Sequence, residues 1–224
     1  MNEPLADRSA VDGGLVWYVS YGSNTHPGRL ACYLAGGRPA GGTRTYPGCR
    51  DGRAPRRSVA LEVPGALYFA TESPVWTGGR AFYDPDAPGS RVLARAYLVS
   101  EAQFSDIAAQ EMYREPGAAP DLDVTAAVRD GRAALGPGRY ETLVCPGRLD
   151  GRPLLTFTAP WAMDGVPWTR PSAAYVRHLY LGLLGAGDAW PSATVAAYLA
   201  ASPGAAGHWT ARRIMNLAEA LPGR

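Results

Sequence analysis

The sequence predicts a mixed α and β domain, on three observations. Hydrophobic residues make up 46% of the 224 residues, enough to bury a real core in one large domain. The first two-thirds of the chain carry short runs of strand length, rich in β-branched and aromatic residues and bounded by Gly, Pro and Asp turns. Helical spacing of apolar residues replaces that pattern at Ser100 to Glu111 and again from Ser172 onward.

Met1 to Gly14 reads as a flexible tail. It has no basic start and no apolar core, so it is not a signal peptide. A single domain is expected over residues 15–224, with an insertion at about 112–138. Leu15 to Ser20 is a short apolar strand of the kind buried in a core. It stops in Tyr21-Gly22-Ser23-Asn24, where Gly22 permits an unusual backbone and Ser23 and Asn24 favour tight turns. A strand that ends this way presents main-chain N–H groups with no ladder partner, a small concavity suited to a carboxylate or phosphate. Pro27 to Leu34 reads as a helix ended by Gly36-Gly37. Gly41 to Arg57 is an exposed loop rich in Gly, Arg and Pro. Ser58 to Glu62 and Gly65 to Thr71 are strands about the Pro64-Gly65 turn, followed by a segment from Val75 to Tyr83. Arg91 to Val99 alternates as a central strand does.

Ser100 followed by Gln103 matches a capping box that opens a helix. Phe104, Ile107 and Ala108 repeat at helical spacing, and Glu111 falls four residues beyond Ile107 and seven beyond Phe104. Glu111 therefore projects from the face that those apolar residues bury. A carboxylate on a core-facing stripe is costly to desolvate, which marks it out. After the Pro-rich 112–138 span, with a short helix at Asp123 to Arg129, strands are expected at Arg139 to Cys145 and Pro153 to Thr158. An irregular aromatic loop follows, Trp161 to Pro171. Helices are then expected at Ser172 to Leu184, Trp190 to Ala201 and Trp209 to Leu221.

Composition excludes several classes. All 22 basic residues are Arg, which removes lysine chemistry, and the net charge of +2 gives no general case for nucleic acid or a membrane surface. Cys32, Cys49 and Cys145 are an odd, widely spaced set, which argues against a disulfide framework; no CxxC or Cys/His cluster suggests zinc. No apolar run reaches the length of a membrane span. The cytoplasm is the expected compartment, with no metal, no cofactor, no nucleic acid and no membrane partner.

Four features in order resemble the γ-glutamylcyclotransferase-like superfamily. They are the opening strand ending Tyr21-Gly22-Ser23-Asn24; Trp76-Thr77-Gly78-Gly79 entering a strand; a strand then a helix ending Gln110-Glu111; and Pro171-Ser172 and Tyr175 leading into a helix that ends in Gly, with a second around Tyr198. The resemblance covers roughly Val16 to Ala201. It implies a small, mostly antiparallel β-barrel surrounded by helices. It implies that a γ-glutamyl amide is cleaved by its own α-amine, releasing 5-oxoproline and a free amine. Glu111 matches the family's acid/base, and Tyr21, Gly22, Ser23, Asn24, Gly78 and Gly79 are the implied substrate-binding residues. Two departures stand out: the 112–138 span is longer than compact members need, and Phe157 occupies a strand position where members carry Tyr.

Other readings use the same residues. A hydrolase would admit water as the nucleophile in the same pocket, and a binding module would use the pocket without chemistry. A Ser23 nucleophile would need His26, His178 or His208 as its base. Glu72 and Asp84 are further carboxylates to place.

Overall fold

A computed structural model describes residues 14–39, 44–187 and 189–219. The expected tail therefore lies outside the described residues, apart from Gly14, as does the end of the last expected helix. In chain order the elements are β1 (Leu15–Ser20), α1 (Pro27–Ala35), β2 (Arg57–Pro64), β3 (Ala66–Glu72), β4 (Gly79–Asp84), β5 (Arg91–Ser100), α2 (Glu101–Glu111), α3 (Thr125–Asp130), β6 (Arg132–Ala134), β7 (Thr142–Leu149), β8 (Arg152–Thr158), α4 (Ala173–Leu184), α5 (Ser192–Ala201) and α6 (Ala211–Glu219).

The architecture is a mixed α+β one built on β1. Every residue of β1 is buried. Successive side chains of a strand point to opposite faces. Leu15, Trp17 and Val19 accordingly enter one apolar layer, and Val16 and Tyr18 the other. An unbroken apolar run is what a strand covered on both faces requires. β5 pairs antiparallel with β1 from Leu15↔Ser100 to Ser20↔Arg95, and β8 pairs parallel on its other side at Trp17↔Leu154 and Tyr18↔Leu155. The six-stranded sheet has the order β2-β5-β1-β8-β7-β6, and every pair but β1–β8 is antiparallel.

Helices cover both faces. Val176, Leu179 and Leu183 of α4, Val195 and Leu199 of α5 and Ile214 of α6 bury against Trp17 and Val19. On the other face lie Leu30, Tyr33 and Leu34 of α1 with Phe104, Ile107 and Ala108 of α2. The capping box at the start of α2 forms as expected: the Gln103 amide donates to Ser100 Oγ at 3.1 Å, and Ser100 N–H donates to Gln103 Oε1 at 3.1 Å.

The expected barrel does not form. The sheet keeps two edges, β2 and β6, and β3 and β4 stand apart as a two-stranded hairpin. β4 approaches the end of β8, beyond Leu155 where the pairing of β8 with β1 stops, but forms no ladder with it. A side chain bridges the gap instead: Thr158 Oγ1 accepts from the Tyr83 N–H at 3.1 Å and donates to the Tyr83 carbonyl at 2.6 Å.

Two further differences have physical causes. β6 is too short and too Ala-rich to carry a strand pattern; its pairing with β7 creates it. β7 begins three residues later than Arg139 and runs on through Pro146-Gly147, where the register shifts between Val144 and Gly147. A bulge there absorbs the N–H that proline lacks. No helix among the described residues is long and apolar enough to cross a membrane.

Candidate active site

Because β1 and β8 are parallel, their C-terminal ends open on the same side of the sheet. Beyond Ser20 the chain leaves the ladder at Tyr21 and makes one 3-10 turn, Ser23–Thr25. Gly22 precedes that turn with φ −108° and ψ −145°. Among the described residues, the main-chain N–H groups of Gly22, Ser23 and Asn24 take no hydrogen-bond partner, as expected at the first turn of a helix.

This loop walls a pocket together with Tyr18, Ser20, Glu111, Tyr140, Thr156 and Tyr175. A second pocket opens outward from it, sharing Ser23, Glu111, Tyr140 and Tyr175. The two form one cleft, with Glu111 where they meet. Phe104, Ile107 and Ala108 are fully buried, and Glu111, next on that stripe, is half-buried. Asn24 meets it from the loop. Its Nδ2 donates to Glu111 Oε1 at 3.3 Å and to the Tyr18 hydroxyl at 3.2 Å. The Asn24 main-chain carbonyl accepts from the Tyr97 hydroxyl at 2.8 Å. The loop, the carboxylate and the two central strands are thus tied through one buried residue.

The walls are polar in a patterned way. Burial, reinforced by the Glu111 charge, pushes the Tyr18 hydroxyl well above the usual tyrosine range. Burial does the same for Tyr140, with Tyr175 and Glu111 adding to it, and for Tyr175. All three stay protonated at neutral pH. Three buried atoms on the wall have no hydrogen-bond partner within the protein: Ser20 Oγ, Asn24 Oδ1 and Thr156 Oγ1. Buried polar atoms are normally satisfied, so such a cluster lining a cavity is what a polar ligand would complete.

The expected binding residues divide. Tyr21, Gly22, Ser23, Asn24 and Glu111 all line the inner cavity. Gly78 and Gly79 do not. Gly78 has φ +114°, and a Cβ on Gly79 would lie 2.0 Å from the Thr169 carbonyl oxygen. These glycines admit the backbone of residues 169–172, to which Gly79 donates through Arg170 O at 2.8 Å. The aromatic loop from Trp161 to Pro171 lines neither cavity, while Tyr113 from the 112–138 span and Arg139 just beyond it line the outer one. Phe157 brings no hydroxyl, but Tyr140 stands edge-on to it at 6.2 Å and supplies one, which donates to the Ala81 carbonyl at 3.1 Å.

A serine nucleophile finds no base here. His178 Nε2 lies 2.9 Å from the Ser23 carbonyl rather than its hydroxyl, and Ser23 Oγ accepts from Arg29 Nε at 2.8 Å. Burial lowers the His178 pKa to about 4, so its ring is neutral and Nε2–H donates. His26 stacks on it, 4.9 Å between ring centres, and His208 lines neither cavity. Asp84 is buried but serves the turns, accepting from the Asp86 and Met163 N–H groups at 2.9 and 2.8 Å. Glu72 accepts from the Gly78 N–H at 2.5 Å. In the Arg-rich loop, Arg50, Arg53 and Arg57 pair with Asp106 and Asp121, Asp51 and Asp150 respectively. Among the described residues no group of three His, Cys, Asp or Glu side chains could hold a metal ion.

Sequence reading missed Tyr18, Ser20, Tyr140, Thr156 and the reach of Asn24 to Glu111. Ser20 was the one with a signal, a polar residue closing an apolar strand.

No family model matches the sequence. A curated protein named Histone deacetylase 5, from Arabidopsis thaliana, is 30% identical over 197 residues, 81% of this chain and 29% of that protein. The chain thus spans under a third of the length of this curated relative. A solved structure of a gamma-glutamyl cyclotransferase superposes with a TM-score of 0.49 at 14% identity, covering 92% of this chain and 98% of that one. An uncharacterized protein from Homo sapiens gives 0.48 at 14% identity, with the same coverages.

Proposed function

We propose that this protein is a γ-glutamyl cyclotransferase-like enzyme, cleaving a γ-glutamyl amide by internal attack of its own α-amine. The single observation that carries the reading is the Glu111 carboxylate, fixed 3.3 Å from the Asn24 amide, on the wall of the cavity that the Tyr21 to Asn24 loop also lines. One bound glutamyl group can touch both.

The chemistry follows from what each group does. The substrate's α-ammonium pairs with Glu111 and donates to the free Asn24 Oδ1. Glu111 takes one proton, and the neutral amine attacks the γ-carbonyl carbon. A C–N bond forms as the ring closes; Glu111 returns its proton to the leaving nitrogen, the amide C–N bond breaks, and the ring nitrogen's second proton passes through the regenerated Glu111 carboxylate to the departing amine, which leaves as ammonium. The products are 5-oxoproline and a free amine, and no water is consumed. Holding the glutamyl chain bent supplies much of the acceleration, because ring closure is then unimolecular between oriented groups. The unpaired N–H groups of Gly22, Ser23 and Asn24 suit the α-carboxylate or the developing oxyanion. Tyr140, protonated in its buried position, stands where the hydroxyl missing at Phe157 would be useful.

Amide hydrolysis is the second reading, favoured by the deacetylase name of the curated relative. Water would replace the internal amine, with Glu111 as its base. The product separates the two. A panel of γ-glutamyl amines and dipeptides is incubated with the protein and analysed by mass spectrometry. Release of 5-oxoproline supports the proposal; release of glutamate, or no turnover of any member, overturns it.

A further inference from the structure

The outer half of the cleft carries charge that nothing in the proposed reaction uses. Arg29, Arg44, Arg80 and Arg139 line it, with Glu111 as its one carboxylate. Elsewhere arginines meet carboxylates, as at Arg50, Arg57, Arg114 and Arg132. Among the described residues none of the four cleft arginines does. They rest on aromatic rings and neutral acceptors instead. Arg29, which is buried, bridges Ser23 Oγ and the Tyr46 hydroxyl and lies 5.3 Å from the Trp76 ring centre. Arg44 and Arg139 both lie over the Tyr113 ring, at 4.4 and 4.5 Å. Arg80 donates to the Glu72 main-chain oxygen. The Nε atoms of Arg80 and Arg139 are buried with no partner.

Four guanidinium groups around one carboxylate leave a surplus of positive charge in a partly buried cleft, and packing on rings offsets only part of its cost. Guanidinium N–H groups left open are suited to planar, bidentate anions. We infer that the outer cleft binds an amine leaving group carrying at least two negative charges, as carboxylates or as a phosphate. The inference rests on the γ-glutamyl reading for its orientation: with the glutamyl head in the inner cavity and the scissile bond at Glu111, the leaving group has only the arginine-lined half to occupy. One charge would satisfy one guanidinium and leave the rest uncompensated, so affinity should climb with the second.

Two matched pairs test this: γ-glutamylglutamate against the near-isosteric γ-glutamylglutamine, and γ-glutamylphosphoserine against γ-glutamylserine. Calorimetry gives binding and 5-oxoproline release gives kcat/KM. The more anionic member of at least one pair should bind roughly tenfold tighter or more, a gap that shrinks in about 0.5 M NaCl. The pair that shows it identifies carboxylate or phosphate as the recognised group. Arg44→Gln and Arg139→Gln, both partly exposed positions, should close the gap by weakening the more anionic member more than the less charged one. Equal binding within both pairs, or a gap that survives both substitutions, overturns the inference. Discrimination without 5-oxoproline release would leave the anion site standing and overturn the cyclotransferase reading. Release without discrimination would do the reverse.

Discussion

In the proposed reaction Glu111 carries the proton, and a neutral replacement isolates its charge. Glu111→Gln keeps an oxygen that accepts from Asn24 but cannot move a proton. 5-Oxoproline release should fall by roughly 10²-fold or more with the melting temperature little changed; wild-type turnover would remove the proposed acid/base. Asn24 is proposed to touch the substrate as well as Glu111, and its hold on Glu111 shows in a pH profile. Asn24→Asp would set a second carboxylate about 3.3 Å from Glu111. Two such groups cannot both ionise freely, so the acid limb of kcat/KM should move up by about one pH unit or more. Asn24→Ala should lower the rate without that displacement. His178 makes a separate prediction about stability. Burial lowers its folded pKa to about 4. The unfolded chain therefore binds the extra proton first as pH falls. Stability is complete above about pH 6.5 and declines toward pH 4, by up to roughly 3 kcal/mol. Denaturant titrations across that window should show the loss, and His178→Gln should flatten it. Glu111 was legible because helical spacing put a charge where only apolar residues belonged. Asn24, Tyr18 and Tyr140 reach the cleft through tertiary contacts that no spacing encodes.

The strands and helices mostly follow local pattern because local chemistry decides them. The capping box names the first turn of α2, and the apolar run names β1. Pairing decides the rest: β6 has no pattern of its own, and β7 tolerates a proline only through its bulge. Gly79 belongs to this scale. A Cβ there would meet the Thr169 carbonyl at 2.0 Å, backbone against backbone. Gly79→Ala should cost several kcal/mol or prevent folding. At Gly151, where φ is +75° and nothing lies within 4 Å of a Cβ, alanine should cost about 1–2 kcal/mol of left-handed backbone strain. Comparing the two by chemical denaturation separates close approach from backbone conformation. Equal costs would mean that Gly79 serves no packing purpose.

At the scale of the molecule, the sheet separates two apolar layers and its central strands deliver the loop and the cleft to one end. The class of fold was readable from the alternation of strand and helix patterns. The expected closure into a barrel was not, because it depended on a ladder between β4 and the end of β8, and whether two distant strands pair is a tertiary contact that no local pattern encodes. The hairpin's backbone is satisfied by other means. On β4 the outward groups of Ala81 and Tyr83 face hydroxyls: Tyr175 at 3.4 Å and Tyr140 at 3.1 Å for Ala81, Thr158 for Tyr83. On β3, the Phe69 N–H donates to Pro203 O at 2.9 Å and the Phe69 carbonyl accepts from the Thr169 N–H at 2.9 Å. Unsatisfied strand margins recruit other chains and seed aggregates. Here both flanks of the ribbon are blunted, by alcohol and phenol groups on one side and by loop main chain on the other, so this sheet fragment offers intermolecular templating no purchase.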